Sequence, residues 1–163
     1  MYKIHNVLSN QERKKLIKDV KPFLMDSEQL GKYYNTSRSF PGKQTISNLH
    51  QQSQFVSVIK KIEDIIKKEI NLDLEVTKSW VKYSNSDTQL NWHTHHCAYA
   101  SVYYLKTLPF FSNGTLFEDG FIRAPQNSMI IFPAHLVHTT PKNLFPFIDR
   151  YVMSMDLNFS NSY

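Results

Sequence analysis

The apolar period of this chain changes once, near Leu72, and that change limits the folds open to it. Before it, apolar residues recur at steps of three and four. Leu16, Val20, Phe23 and Leu24 follow one another in this way, with Lys14, Lys15, Lys18 and Asp19 between them. That is the spacing of an amphipathic helix. Ser9 and Glu12 stand at its start with capping-box spacing. A second stripe of Phe55, Val58, Ile59, Ile62, Ile65, Ile66 and Ile70 predicts a helix from about Gln52 to Ile70. Past Leu72, Leu74-Glu75-Val76-Thr77 alternates, and Ser79-Trp80-Val81-Lys82-Tyr83 is rich in strand formers. Further strands are predicted at Tyr99–Leu105, Gly114–Phe117, Ser128–Phe132 and Arg150–Asn158, and a short one within Ile4–Leu8. Pro109, Asn113-Gly114, Pro125, Pro133 and Pro141 punctuate them. Two helices followed by many short strands predict a mainly β fold, a sandwich or jelly roll buttressed by the helices. The expected division is one domain over 1–163, with a helical buttress at 1–72 and a β core at 73–160. Residues 31–50, with Gly31, Pro41 and Gly42, read as a loop bordering a site, and Tyr33, Tyr34, Arg38 and Phe40 make it a candidate lid.

Charge and aromatic residues are segregated along the chain. Residues 1–80 hold 14 Lys and Arg against 9 Asp and Glu, whereas residues 81–163 hold 5 of each. Fifteen of the 22 aromatic residues and five of the seven histidines fall in the neutral part. A nucleic-acid surface would interleave basic and aromatic residues, so this pattern leaves nucleic acid unsupported and reads as solvated helix faces. No apolar run approaches the roughly 18–20 residues of a membrane helix. A single cysteine, Cys97, excludes an internal disulfide and points to a cytoplasmic setting.

The histidines carry the chemistry. His93-Thr94-His95 puts two imidazoles on one face of an extended segment, close enough to share a metal ion. His96 then points the other way. His138 follows the strand-like Met129-Ile130-Ile131-Phe132-Pro133 and sits at a strand-to-turn edge. Arg150 opens the last predicted strand. A bare His-x-His pair is equally compatible with a satisfied pair in a partly buried strand. The order His-x-His, strands, His, Arg is far more specific.

On those residues the chain resembles the 2-oxoglutarate/Fe(II)-dependent dioxygenases, in the branch of the prolyl hydroxylases and small phage and bacterial oxygenases. The resemblance spans about residues 78–159. It runs through Ser79-Trp80-Val81, Asn91-Trp92-His93-Thr94-His95 and Ser101-Val102-Tyr103-Tyr104-Leu105. It continues through Gly114-Thr115-Leu116-Phe117-Glu118-Asp119, the Phe132-Pro133 approach to His138, and Asp149-Arg150-Tyr151-Val152-Met153-Ser154. It implies a double-stranded β-helix that binds Fe(II) and 2-oxoglutarate and uses dioxygen to hydroxylate an unactivated C–H bond, releasing succinate and CO2. The substrate would be a small molecule or a peptidyl side chain. His93 and His138 would be iron ligands, with His95 where most of the superfamily has a carboxylate. Arg150 would pair with the far carboxylate of 2-oxoglutarate through its planar fork. Tyr104 matches a position that hydrogen-bonds the same carboxylate. Tyr83, ten residues before His93, falls where another cosubstrate tyrosine lies, and reads equally as a sheet-surface tyrosine. Ser154 should share Arg150's side of the strand.

The departure is the missing carboxylate. The usual facial triad is two His and one Asp or Glu. Three histidines leave the same positions open but bring no negative charge, and they also suit zinc. Asp119 is a second candidate for the carboxylate, or a turn residue. Two other readings stand beside the oxygenase: a cupin-like metal protein that does not use 2-oxoglutarate (a three-His dioxygenase or a zinc hydrolase), and a non-catalytic β-sandwich module. Cys97 is expected as a small buried residue, His135 as a surface turn residue, and Trp92 as packed into the opposite layer. Phe110-Phe111 and Phe145-Pro146-Phe147 are expected to line a groove or close the core.

Overall fold

The computed structural model describes residues 1–37, 40–84, 90–107, 113–141 and 148–160. Its first strand, β1, is Tyr2–His5. Helix α1, Asn10–Val20, starts at the Ser9–Glu12 capping box, with both reciprocal hydrogen bonds made. It is shorter than its apolar stripe. Pro22 cannot continue a helix, so a 3-10 turn, Lys21–Phe23, carries Phe23 onward. Phe23 then meets Phe55 edge-on at 5.6 Å. Helix α3, Ser53–Ile70, buries Phe55, Ile59, Ile62 and Ile66, and Asn71 ends it in the left-handed conformation. Between them lies helix α2, Ser27–Tyr34, opened by a capping box of Asp26 and Gln29 and closed by Asn35 at φ 51°. The expected loop at 31–50 therefore begins in a helix. It also holds the two-residue strand β2, Lys43–Gln44, and a 3-10 turn at Leu49–Gln51.

The remaining strands are β3 Leu74–Ser84, β4 Tyr99–Lys106, β5 Gly114–Phe117, β6 Gly120–Arg123, β7 Ser128–Pro133, β8 His138–Thr139 and β9 Arg150–Phe159. They form a six-stranded sheet, β1-β7-β4-β9-β3-β2, and a three-stranded sheet, β6-β5-β8. The fold is the expected jelly roll with helices packed on it. Pro109, Phe110-Phe111, Phe145-Pro146-Phe147 and Arg38 lie outside the described residues.

Strand pleat divides the large sheet into two faces. One row runs Val81, Met153, Tyr103, Met129, Ile4 across five paired strands. All five are buried in the core that the helices cover. The neighbouring residues point the other way. Ala100, Tyr104, Ile130 and Phe132 form a second core with Phe117 and Ala124 of the small-sheet side. One irregularity matters for the site. The register of β3 against β9 shifts between Val76 and Lys78, a β-bulge that reverses the side-chain parity. Leu74 and Val76 face the helices before it, and Val81 does after it. Lys78, Trp80 and Lys82 are thereby turned to the opposite face. Among the described residues no helix is long and apolar enough to cross a membrane.

Candidate metal centre

His93, His95 and His138 converge. One ring nitrogen from each lies within 4.8 Å of the others. His93 and His138 are held by a reciprocal pair of backbone hydrogen bonds, each 3.0 Å, so the segment bearing the pair is stitched to β8. His95 N–H donates to the Ala134 carbonyl at 3.0 Å. The extended backbone through Thr94 then turns both imidazoles to one side, as the spacing requires. Burial increases from His93 through His95 to His138.

The hydrogen bonds of the rings fix which nitrogen is free. His93 Nδ1 lies 2.8 Å from the Asn91 carbonyl, and His138 Nδ1 lies 2.9 Å from the Leu136 carbonyl. His95 Nδ1 lies 2.7 Å from the Asp156 carboxylate. Each partner is an acceptor only, so each Nδ1 carries the proton and donates. Each Nε2 then keeps its lone pair for a metal. Burial, reinforced by the two neighbouring imidazoles, pushes His138 down to about 4. Burial lowers His93 as well. For these two histidines the neutral, ligating form is therefore the resting one.

The three rings face a cavity of about 570 Å³. Its lining includes Arg150, Val152, Ser154 and Asp156, the alternate residues of β9, and Trp80 and Lys82 of β3. Arg150 is only 7% exposed, and its Nε makes no hydrogen bond within the described residues. Its guanidinium lies 5.9 Å from the Tyr104 ring. Burial lowers the Arg150 pKa, opposed by Tyr104. Tyr104 is fully buried, and its hydroxyl shares a 2.7 Å hydrogen bond with Thr115 Oγ1. Thr115 is itself on the cavity wall. Tyr104 thus backs the wall beneath Arg150, and Ser154 is on Arg150's side of the strand as expected.

Tyr83 is not brought to this cavity. It shares the pleat of Val81 and packs against the helix-side core. Its hydroxyl donates to Asp149 Oδ1 at 2.9 Å, and its ring lies 5.0 Å from Tyr151. The residue beside it, Lys82, takes the inward position instead. Asp119 does not join the histidines either: it is exposed in the turn between β5 and β6. Trp92, expected in the opposite layer, is 47% exposed. Cys97 Sγ donates to the Tyr99 carbonyl at 3.1 Å, and burial pushes its thiol up to about 11, so it stays a protonated packing residue. His135 is exposed.

Three residues of the site were not read from the sequence. Asp156 and Trp80 hold His95, the latter stacked on it at 5.9 Å and 21°. Lys82 adds a second cation near Arg150. Burial first and the Arg150 charge second push Lys82 down to about 8. Its ammonium lies 5.6 Å from the Phe40 ring.

No protein-family model matches the chain, and no curated protein matches it. Solved structures do. A viral collagen prolyl hydroxylase from Paramecium bursaria Chlorella virus-1, solved with 2-oxoglutarate, is 16% identical with a TM-score of 0.65, over 96% of this chain and 94% of that one. HygX from Streptomyces hygroscopicus, solved with nickel, 2-oxoglutarate and hygromycin B, is 12% identical with a TM-score of 0.69, over 98% of this chain and 82% of that one. A Pseudomonas putida prolyl-4-hydroxylase is 11% identical with a TM-score of 0.62, over 96% and 90%. The chain therefore has the jelly-roll fold of the 2-oxoglutarate-dependent oxygenases. At this identity the likeness is one of fold, and the function is argued from the site.

Proposed function

We propose that this chain is a 2-oxoglutarate- and Fe(II)-dependent oxygenase that hydroxylates a C–H bond of a small-molecule or peptidyl substrate. One observation carries the reading: three imidazole nitrogens share a cavity with a buried arginine whose Nε has no hydrogen-bond partner, and which has no carboxylate partner, among the described residues. A buried guanidinium without an anion is costly. A dicarboxylate bound between metal and arginine would satisfy it.

The donor set fits the metal. Three neutral histidines on one side of an ion leave the other positions to cosubstrate and dioxygen. The chemistry that Fe(II) supplies when bound with 2-oxoglutarate is oxidative decarboxylation by dioxygen, one oxygen atom passing to succinate and the other to the substrate. The protein does the rest. His93, His95 and His138 hold the ion through Nε2. Arg150 takes the far carboxylate through its fork, with Lys82 as a second cation beside it. Tyr104 and Thr115 hold the wall against which the cosubstrate lies, and Ser154 offers a hydroxyl on the same strand face. Buried Phe117 and Phe132, whose rings pack on His138 at 5.9 and 4.6 Å, keep water from its far side. The single free cysteine fits a cytoplasmic enzyme.

The test is anaerobic addition of Fe(II) and 2-oxoglutarate to the purified protein. The expected result is a weak visible charge-transfer band in wild type that disappears in Arg150→Met, together with succinate formation in air. Because three histidines equally suit zinc, the competing reading is a zinc or cupin-like protein that does not use 2-oxoglutarate. Folded, iron-loaded protein that develops no band would establish that reading instead.

A further inference from the structure

The three metal-facing imidazoles are not held alike. His93 and His138 each donate Nδ1–H to a carbonyl two residues earlier in their own segments, at 2.8 and 2.9 Å. These are local and uncharged partners. His95 donates to a carboxylate that arrives from β9, 61 residues away in sequence, at 2.7 Å. Asp156 is only 5% exposed. Burying a carboxylate is costly unless it is paired and hydrogen-bonded. Its other oxygen lies 3.9 Å from the Lys78 ammonium, beyond hydrogen-bond reach, and the Lys78 side chain is 59% exposed. Of the imidazole and the ammonium, only His95 is within hydrogen-bond distance of the Asp156 carboxylate; the Cys97 thiol is a further neighbour, held protonated in part by that same charge.

The surrounding residues make this contact rigid. Asp156 stands opposite Ala100 on β4, whose small side chain leaves room for the imidazole. Trp80 stacks on His95 at 5.9 Å and 21°, and His138 lies 5.2 Å away at 12° to the same ring. Ring plane, tautomer and lone-pair direction are all determined before any ion arrives.

From this geometry we propose that Asp156 is the positioning residue of the centre, standing one hydrogen bond behind His95 and supplying there the negative charge that the three-His ligand set lacks. The inference rests on the metal-binding reading above. A carboxylate behind a ligating histidine orients it and makes it a stronger donor. The site then keeps three exchangeable positions while its first ring of ligands stays neutral.

The decisive variant is Asp156→Asn, which preserves shape and removes the charge. Fe(II) and Co(II) affinities are measured anaerobically by chelator competition, with the Co(II) absorption spectrum recorded alongside. The expected result is a 10- to 100-fold loss of affinity and a displaced Co(II) spectrum, with Asp156→Glu recovering part of both. Affinity within twofold of wild type, or an unmoved spectrum, overturns the proposal. His138→Ala separates the two readings. If it abolishes metal binding while Asp156→Asn does not, the role of Asp156 fails alone. If wild type binds no metal, the metal centre fails and this inference with it. Lys78→Met covers the case in which Asp156→Asn does not fold. Removing the distant ammonium leaves the carboxylate to His95, so affinity should be equal or a few-fold tighter, and a clear weakening counts against the proposal.

Discussion

Two buried arginines show how differently the two sides of the large sheet are used. Arg13, in the helical layer, is 7% exposed and has its terminal nitrogens occupied, one by the Leu105 carbonyl at 2.7 Å and one by Asn10 at 3.2 Å. Arg150, on the cavity side, is equally buried, but its Nε has no hydrogen-bond partner and its guanidinium no carboxylate among the described residues. The first ties α1 to the end of β4 and completes a closed core. Under the proposed function the second awaits the far carboxylate of 2-oxoglutarate. The strands that carry both faces are the same, and only the alternation of side chains separates them. On β9, Met153 and Met155 bury against the helices while Arg150, Val152, Ser154 and Asp156 face the cavity. Core packing and cavity lining are therefore assigned to alternate residues of one strand. Substitutions on neighbouring positions should give nearly orthogonal effects.

The strongest challenge to this division is Met153→Ala. Met153 is fully buried, so the cavity it leaves should cost about 2–5 kcal/mol in urea denaturation. The folded fraction should keep its 2-oxoglutarate affinity within about twofold. Coupled losses would mean that the faces are not independent. Arg150→Met should do the reverse. Loss of the guanidinium fork should weaken 2-oxoglutarate binding by a hundredfold or more, about 3 kcal/mol. The metal-free protein should be no less stable, since an unpaired buried charge has been removed. Isothermal titration and thermal melts on the same sample read both quantities.

The same alternation explains what could be read in advance and what could not. Helix α3 was legible because its apolar period is long and uninterrupted, and the long strands because they are rich in strand-forming residues. Helix α2 was not. Its capping pair, Asp26 and Gln29, has the same form as that of α1, but only Leu30 and Gly31 are buried, so no apolar stripe announces it. The two-residue β8 is set by pairing with β5 and by no local signal. In the site, His93 and His95 were legible because their spacing is local, and His138 because it closes a strand-like run in the order His-x-His, strands, His, Arg. Asp156 was not, because its partner is 61 residues away and their meeting depends on sheet register. Tyr83 shows the limit most clearly. Its neighbour Lys82 faces the cavity because of the bulge between Val76 and Lys78, and nothing in the sequence marks that extra residue.

Lys82 offers a finer measure of the cavity face. It lies diagonally from Arg150 across the β3–β9 pair, since Lys82 is opposite Val152 and Ser84 opposite Arg150. Among the described residues it has no carboxylate partner. A half-buried ammonium there should strengthen 2-oxoglutarate binding by about fivefold to tenfold, on the order of 1 kcal/mol. Lys82→Met should lose that amount, and Lys82→Arg should keep it. The sign of the pH dependence follows from its position. Burial and Arg150 hold Lys82 down to about 8, so it is charged at pH 7 and loses its proton as pH rises through that value. Wild-type affinity should therefore fall between pH 7 and 9 toward that of Lys82→Met, whose own profile should stay flat. Equal slopes in the two proteins would remove Lys82 from the site.

The smallest effect lies on the helical side and should leave the cavity untouched. Glu12 caps α1 at Ser9 and also pairs with Lys61 of α3, bridging the two helices. The Lys61 and Ser9 hydrogen bonds hold its carboxyl down at about 2. The unfolded chain, with an ordinary carboxyl near 4.5, binds more protons between those values. Stability from this group is thus present above about pH 4.5 and lost as pH falls toward 2. The pair is exposed at the surface, at 48% for the Lys61 side chain and 37% for that of Glu12, so solvent screening limits the contribution to below about 1 kcal/mol. Glu12→Gln should flatten the acid limb of the urea-midpoint profile by that amount, while metal and 2-oxoglutarate affinity at pH 7 stay within error of wild type. A Glu12→Gln protein with altered ligand binding would show that the helical layer reaches through the sheet to the cavity, against the separation that the alternating strands impose.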